Sequence, residues 1–359
     1  MQAIAVERGR NRPVVVDTER PIPASGEVLV RTLRVGVDGT DHEVISGGHG
    51  GFPAGSDALV LGHEAVGVVE DPGDTRFSRG DVVVPTVRRA PGESNEYFAR
   101  GEPDMAPSGA YHERGIEGAH GFMADYFTSP EESLVTVSRS IAEIGFLVEP
   151  LSVVEKALEL AAASRSSFTW EPSSALVLGN GSLGLLALAL LRQRAEYDRL
   201  YCLGRRDRPD PTIDVIERLG ATYVDSRETP LGDVADAYEP MDLIFEATGY
   251  PKHAFETIEA LAPNGVGALL GVPGAQSFEI DGGALHREFV LQNKALVGSV
   301  NSNVRHFEAA ATALEAFPEW FCDAIVTGVY GLDEFEAAFD DDDTTIKTAV
   351  QFSAYEERR

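Results

Sequence analysis

Lysine is nearly missing from this chain, and cysteine is scarcer still. Only four of the 359 residues are lysines: Lys156, Lys252, Lys294 and Lys347. The two cysteines, Cys202 and Cys322, lie far apart and support neither a disulfide framework nor a cysteine-rich metal site. Cys202 falls in an apolar stretch and reads as core, which suits a reducing cytoplasm. The first residues do not combine the basic, apolar and cleavage regions of an export leader, so a cytoplasmic protein is expected. The most apolar segment, Leu176 to Leu191, is a poor membrane span because three glycines, Asn180 and Ser182 interrupt it. Internal repeats and low-complexity tracts are also missing, which excludes a repeat architecture.

What the chain has in excess is acid. Aspartate and glutamate number 58 against 30 lysines and arginines, a formal net charge of −28. Such a surface repels nucleic acid and, in dilute buffer, itself. The acidic residues are scattered, with Asp340 to Asp343 the one short run, so a disordered acidic tail does not account for them. Spread acidity with few lysines suits a salt-loaded cytoplasm, where screening is strong; an acidic mesophilic enzyme is the alternative. An apolar content of 43% over this length provides for a packed core and two domains of ordinary size.

The most informative stretch is Ala175 to Arg206. A short apolar run, Ala175 to Leu178, leads into Gly179-Asn180-Gly181-Ser182-Leu183-Gly184 and then a helical apolar run. In G-x-G-x-x-G the first glycine permits a tight turn and the second lets backbone approach a pyrophosphate. The third lets helix and strand pack closely. Alone the motif fits any glycine-rich turn, but here strand, turn, helix and a second strand (Leu200 to Leu203) follow in order. An NAD site places an acid near the end of that second strand. In this chain Gly204 is followed by Arg205 and Arg206, which suit a 2′-phosphate rather than free ribose hydroxyls. Solvated surface arginines are the plain alternative, and Asp207 works against the preference, so NAD stays open beside NADP.

Residues 1–35 read as short strands, Ala3 to Val6, Val14 to Val16 and Val28 to Val35. From Gly36 the pattern dissolves into glycine, aspartate and histidine, and irregular loops are expected over residues 38–42 and 47–51. Further strands follow over residues 59–69 and 80–85. Residues 88–121 read as a long loop of functional or assembly character. A helix is expected from Phe146 through Ala163, with Pro150 in its first turn. Strands and helices then alternate from about 174 to 300, the pattern of a parallel sheet covered on both faces. A helix (Phe307 to Phe317), an acidic loop and a closing strand (Thr348 to Phe352) complete the chain.

A catalytic zinc takes three protein ligands and keeps one position open. Asp38, His63, Glu64 and Glu149 offer such a set from separate segments, although no local spacing singles it out. His63 also fits a structural role, and Glu64 a helix cap or an ion-pair partner.

At these residues the chain resembles the zinc-dependent medium-chain dehydrogenases, nearly end to end. The family's G-H-E-x-x-G is Gly62-His63-Glu64-Ala65-Val66-Gly67, its G-D-x-V is Gly80-Asp81-Val82-Val83, and its E-P is Glu149-Pro150. The first-ligand motif stands as Asp38-Gly39-Thr40-Asp41, with aspartate at the usual cysteine. Residues 38–43, 47–53, 203–211, 298–302 and 335–345 are similar to the haloarchaeal-type glucose 1-dehydrogenases of that family. The segment 88–121 lacks the cysteines of a second, structural zinc, so one catalytic zinc is implied. The histidine that relays protons in many relatives is not in register here: its position is Glu43, beside His42.

The resemblance implies an α/β protein whose doubly wound Rossmann sheet is inserted in a β-rich GroES-like catalytic domain. The expected parts are residues 1–165 and 301–359 for the catalytic domain and 166–300 for the NADP domain, with the site in the cleft between them. It implies oxidation of glucose at C1 to gluconolactone with hydride transfer to NADP. Zinc is held by Asp38, His63 and Glu149, with Glu64 binding at some stages or supporting the site. Thr40 meets the reacting hydroxyl, and Glu113, Glu149 and Asn301 contact the sugar; ordinary loop roles for Glu113 and Asn301 are the alternative. Gly271, Val272, Pro273, Ser299, Val300 and Asn301 flank the nicotinamide. A homo-oligomer, dimer or tetramer, is implied as well. Another aldose or polyol substrate, a zinc-free reductase and a nucleotide-binding protein without turnover are the rival readings.

Overall fold

The computed structural model describes residues 1–340 and 342–356. Residue 341, within both the acidic run and the matching segment 335–345, and residues 357–359 lie outside the described residues. The chain divides into two compact units, one of Met1–Ser152 with the segment from Asn301 onward, the other Val153–Val300. The first division falls inside the helix Val148–Ser164, ahead of the expected boundary at 165.

The first unit is built on a seven-stranded sheet. Its long central strand, Glu27–Val37, pairs antiparallel with Glu64–Asp71, Tyr126–Pro130 and Lys347–Gln351. The closing strand near the C-terminus therefore lies beside strands from the first seventy residues. A separate three-stranded sheet joins Gln2–Glu7 to Pro13–Asp17 and Ala58–Val60. Residues 88–121, expected as a loop, hold two short helical turns and a small sheet of Arg88–Arg89, His112–Arg114 and Gly118–Ala119. Those strands are too short for alternation to show in the sequence.

Residues 39–46 correct an expectation. They form a helix, Gly39–Ser46, whose first residues, 39–42, were expected as irregular loop. Asp38 is the N-cap: its Oδ1 accepts from Asp41 N–H (3.1 Å), and Asp41 Oδ2 accepts from Asp38 N–H (3.2 Å). This reciprocal capping box satisfies two otherwise orphaned donors, with aspartate in the role more often held by glutamate. The short, polar helix has no apolar periodicity to reveal it.

The second unit is a six-stranded, fully parallel sheet. Taken in chain order its strands are Ser174–Leu178, Arg199–Gly204, Thr222–Asp225, Met241–Glu246, Leu261–Leu269 and Ala295–Gly298. Their spatial order is third, second, first, fourth, fifth, sixth, the doubly wound dinucleotide-binding arrangement. Ser174–Leu178 is buried throughout, as a central parallel strand covered on both faces must be. The helix Ser182–Arg194 follows from Gly181 as N-cap. Helices Gly282–Leu291 and Glu319–Ile325 and the strand Val326–Gly331 were not foreseen.

Close packing at the glycine turn is absolute. A Cβ on Gly184 would stand 1.9 Å from the Gly179 carbonyl oxygen, in immobile backbone. Gly184→Ala is expected to cost at least about 1–3 kcal/mol through overpacking, read as a drop in Tm. An unchanged Tm would show that the turn has room the geometry denies.

Candidate active site

Three adjacent strands of the first unit bring the candidate ligands together. Val37 ends one strand and hands over to Asp38; Glu64 begins the next; Lys347 begins the third. Gly36 lies opposite Glu64 across one pair, and Val37 opposite Thr348 across the other. Asp38, His63 and Glu64 each offer a donor atom, all within 4.8 Å of one another. His63 Nε2 stands 3.5 Å from Asp38 Oδ2. Asp38 thus spends one oxygen on the helix cap and turns the other toward the imidazole.

Two residues outside the expected set complete the arrangement. Asp41 is buried, and its Oδ1 accepts from Gly62 N–H at 3.2 Å, tying the helix start to the residue before His63. Lys347 is buried with Glu64, and its Nζ forms an ion pair with Glu64 Oε2. A Cβ on Gly36 would reach 2.1 Å from Glu64 Oε2 and 3.2 Å from Lys347 Cε, so only glycine leaves room for this pair. The signals for both residues were present: Asp41 closes the Asp38-Gly39-Thr40-Asp41 motif, and Lys347 is a rare lysine opening an apolar strand.

The electrostatics follow from burial. Glu149, also buried, has its carboxyl pushed up to about 8, chiefly by loss of solvent and then by Glu64 and Asp38. Asp41 is raised to about 7, by burial first and then by the Asp38 and Glu64 charges. Glu64 is raised by burial in spite of Lys347. Burial works against the Asp38 anion too, but His63, Lys347 and the Asp41 N–H outweigh it and hold its carboxyl well below the usual range. Likewise burial opposes a charged His63, yet Asp38, Asp41 and Glu149 raise its pKa well above the ordinary value. So many acids around one imidazole demand positive charge, and hard oxygen donors with one nitrogen fit a divalent cation such as zinc. The buried His63 Nδ1 lacks a hydrogen-bond partner, which leaves Nε2, facing Asp38, as the nitrogen aimed into the cluster.

The candidate sugar-contacting residues also meet. Asn301 Nδ2 donates to Glu113 Oε1 at 3.3 Å, and the same oxygen accepts from Arg88 Nε at 2.9 Å. Arg88 is anchored by the Pro103 and Asp104 carbonyls and stacks over Tyr111, 3.6 Å to the ring centroid. Gly115, two residues past Glu113, packs on the Gly62 backbone, since its Cβ would lie 2.5 Å from Gly62 O. Thr40 sits in the first turn of the helix that Asp38 caps.

In the second unit the candidate cofactor residues gather at the carboxyl ends of the parallel strands. Gly179 to Gly184 follow the first strand, Gly204 ends the second, Gly271 to Pro273 follow the fifth, and Ser299 and Val300 follow the sixth. That edge is where doubly wound sheets bind dinucleotides, and the helix from Ser182 directs its N-terminus there. Asn301 belongs instead with Glu113 in the first unit.

The Glu64–Lys347 pair makes a direct prediction. Lys347→Met strands a buried carboxylate and is expected to destabilise the fold by about 3–5 kcal/mol. Adding Glu64→Gln should restore part of the loss, measured by denaturant unfolding. Equal stability of Lys347→Met and the parent would refute the pairing.

The geometry has counterparts among known proteins. Residues 24–139 match the alcohol dehydrogenase GroES-like domain, and residues 142–352 match the glucose dehydrogenase C-terminus family. The glucose 1-dehydrogenase of Haloferax mediterranei is 69% identical, covering 98% of this chain and 99% of that protein. That of Halobacterium salinarum is 65% identical, again over 98% of this chain and 99% of the relative. The structure of Haloferax mediterranei glucose dehydrogenase in complex with NADP, Zn and gluconolactone superposes with a TM-score of 0.98, covering 99% of this chain and 100% of that one. The chain belongs to the glucose 1-dehydrogenase family of zinc-dependent dehydrogenases.

Proposed function

We propose that this protein oxidises D-glucose at C1 to gluconolactone, passing hydride to NADP, with one catalytic zinc. The observation that carries the reading is the convergence of Asp38, His63 and Glu64 donor atoms within 4.8 Å, among buried acids. Asp38, His63 and Glu149 are the zinc ligands in this reading, and Lys347 holds Glu64 as a supporting carboxylate that can exchange into the set. Bound zinc polarises the C1 oxygen and lowers its proton affinity.

The chain's own residues do the rest. Thr40 receives a hydrogen bond from the reacting hydroxyl and orients it. Glu113, fixed by Arg88, and Asn301 bind the remaining sugar hydroxyls, so a substrate lacking one leaves buried polar groups unmatched. The turn from Gly179 to Gly184 carries the pyrophosphate, Arg205 and Arg206 the 2′-phosphate, and residues 271–273 and 299–300 flank the nicotinamide. The reaction removes one hydride and one proton from C1–OH, giving lactone, NADPH and a proton. A homo-oligomer in the cytoplasm completes the proposal; among the described residues no helix is long and apolar enough to cross a membrane. Light scattering in molar KCl tests the assembly, and a monomer would refute it.

NADP reduction is to be assayed with glucose, galactose, xylose and sorbitol in molar KCl. Glucose should be oxidised, chelation should abolish the rate, and zinc should restore it. Sorbitol active with glucose inactive overturns the substrate, and full activity after exhaustive chelation overturns the metal. Zinc affinity should weaken as the pH falls through about 8, because the raised Glu149 carboxyl then takes a proton that competes with the metal. An affinity independent of pH across that range would remove Glu149 from the ligand set.

A further inference from the structure

The arginine pair at 205–206 is set by a neighbouring strand that contributes nothing obvious in the sequence. Arg199–Gly204 and Thr222–Asp225 pair in parallel, with Cys202 opposite Tyr223 and Gly204 opposite Asp225. From there Tyr223 reaches the loop leaving Arg199–Gly204. Its hydroxyl accepts from Arg206 N–H at 2.8 Å and donates to the Arg206 carbonyl at 3.0 Å. One phenol closes both main-chain groups of the second arginine. The ring also backs Gly204, whose Cβ would lie 2.9 Å from Tyr223 Cε2 and 2.5 Å from Asn180 Oδ1.

The same loop is tied to the glycine turn. Arg206 Nε lies 3.9 Å from Asp210 Oδ2. Asp210 Oδ1 accepts from the Thr212 N–H and hydroxyl, and that hydroxyl oxygen accepts from Asn180 Nδ2 at 2.6 Å. Asn180 lies inside the G-x-G-x-x-G turn, so the pyrophosphate cradle and the arginine loop form one hydrogen-bonded frame.

Asp207, which opposes phosphate binding by its position, has a dedicated partner. Arg227 Nη2 and Nη1 reach Asp207 Oδ1 and Oδ2 at 2.7 and 3.2 Å. The same guanidinium is braced by Asp225, with Nε 2.9 Å from Asp225 Oδ1. The Asp207 side chain is 84% exposed, so this bridge adds little stability. Its consequence is local: the carboxylate is engaged by Arg227 and does not compete for Arg205 and Arg206. In molar salt, charges more than about 3 Å apart are screened, which leaves such direct contacts to decide selectivity.

We infer that Tyr223 and Arg227 are positioning residues for NADP selectivity. Tyr223 fixes the main chain from which the arginine pair reaches a ribose 2′-phosphate, and Arg227 neutralises the Asp207 carboxylate beside it. The inference rests on the proposed reading of Arg205 and Arg206 as the 2′-phosphate site.

The test compares Tyr223→Phe, Arg227→Ala, Arg227→Ala with Asp207→Asn, and Arg205→Ala with Arg206→Ala. Each full-length variant is assayed for KM and kcat with NADP and with NAD. Tyr223→Phe keeps the ring under Gly204 and loses only the hydroxyl. It is expected to raise KM for NADP about five- to tenfold with kcat retained, and to lower the NADP-over-NAD preference by the same factor. Arg227→Ala should move the preference the same way, more strongly as KCl is lowered, and Asp207→Asn should restore it. Equal changes for the two coenzymes, or no rescue by Asp207→Asn, overturn the inference. The arginine double variant separates the levels. If it leaves the preference intact, the 2′-phosphate reading and the inference fall together; if it abolishes the preference while Tyr223→Phe and Arg227→Ala match the parent, only the inference falls. NADPH fluorescence titration of the folded protein gives the same ordering where a variant loses turnover.

Discussion

The catalytic unit is governed by buried negative charge. Asp41, Glu64 and Glu149 lie in the interior, and Asp38 joins them beside His63. Uncompensated carboxylates are strongly disfavoured in such surroundings, and nearly every local feature is a form of compensation. Lys347 is spent on Glu64, the Asp41 and Gly62 N–H groups are spent on Asp38 and Asp41, and His63 is drawn toward protonation. What remains is a donor set that favours a divalent cation, placed where paired strands end rather than on a free loop.

Aspartate in place of the family's usual cysteine changes more than ligand hardness. A carboxylate has two oxygens, and Asp38 uses them separately: Oδ1 caps the helix Gly39–Ser46 and Oδ2 faces His63. The helix start, with Thr40 in its first turn, is thereby locked to the carboxylate that faces His63. Arg88 does comparable service for Glu113, a carboxylate aligned by a cation that is itself held by backbone carbonyls. In the second unit the glycine turn, the start of the helix Ser182–Arg194 and the arginine pair 205–206 lie at the carboxyl ends of the parallel strands.

Much of this could be read in the sequence because some motifs are local. The glycine turn, the fully apolar strand before it, and the strand–helix alternation over 174–300 each express themselves within a few residues. Gly62-His63-Glu64 and Glu149-Pro150 became legible only through the resemblance to the zinc-dependent dehydrogenases, since no local spacing singles them out. The helix Gly39–Ser46 was not legible, since its stability lies in a capping box of two aspartates rather than in apolar periodicity. Nor were the strands of residues 88–121, two or three residues long, whose order comes from Arg88 and its neighbours.

The sequence alone determined the parallel α/β sheet of 174–300, the dinucleotide turn and the kinds of donor available for a metal, because each depends on residue type and near spacing; the GroES-like part of the fold came from the family resemblance. Only the tertiary structure decided the partners. Lys347 meets Glu64 because Lys347–Gln351 lies beside Glu27–Val37 in the sheet, and Asn301 meets Glu113 from 188 residues away in sequence. Tyr223 meets Arg206, and Arg227 meets Asp207, through the register of two parallel strands. Such pairings are set by strand order and register, which no local pattern encodes, because they minimise the cost of buried charge only once the sheets exist.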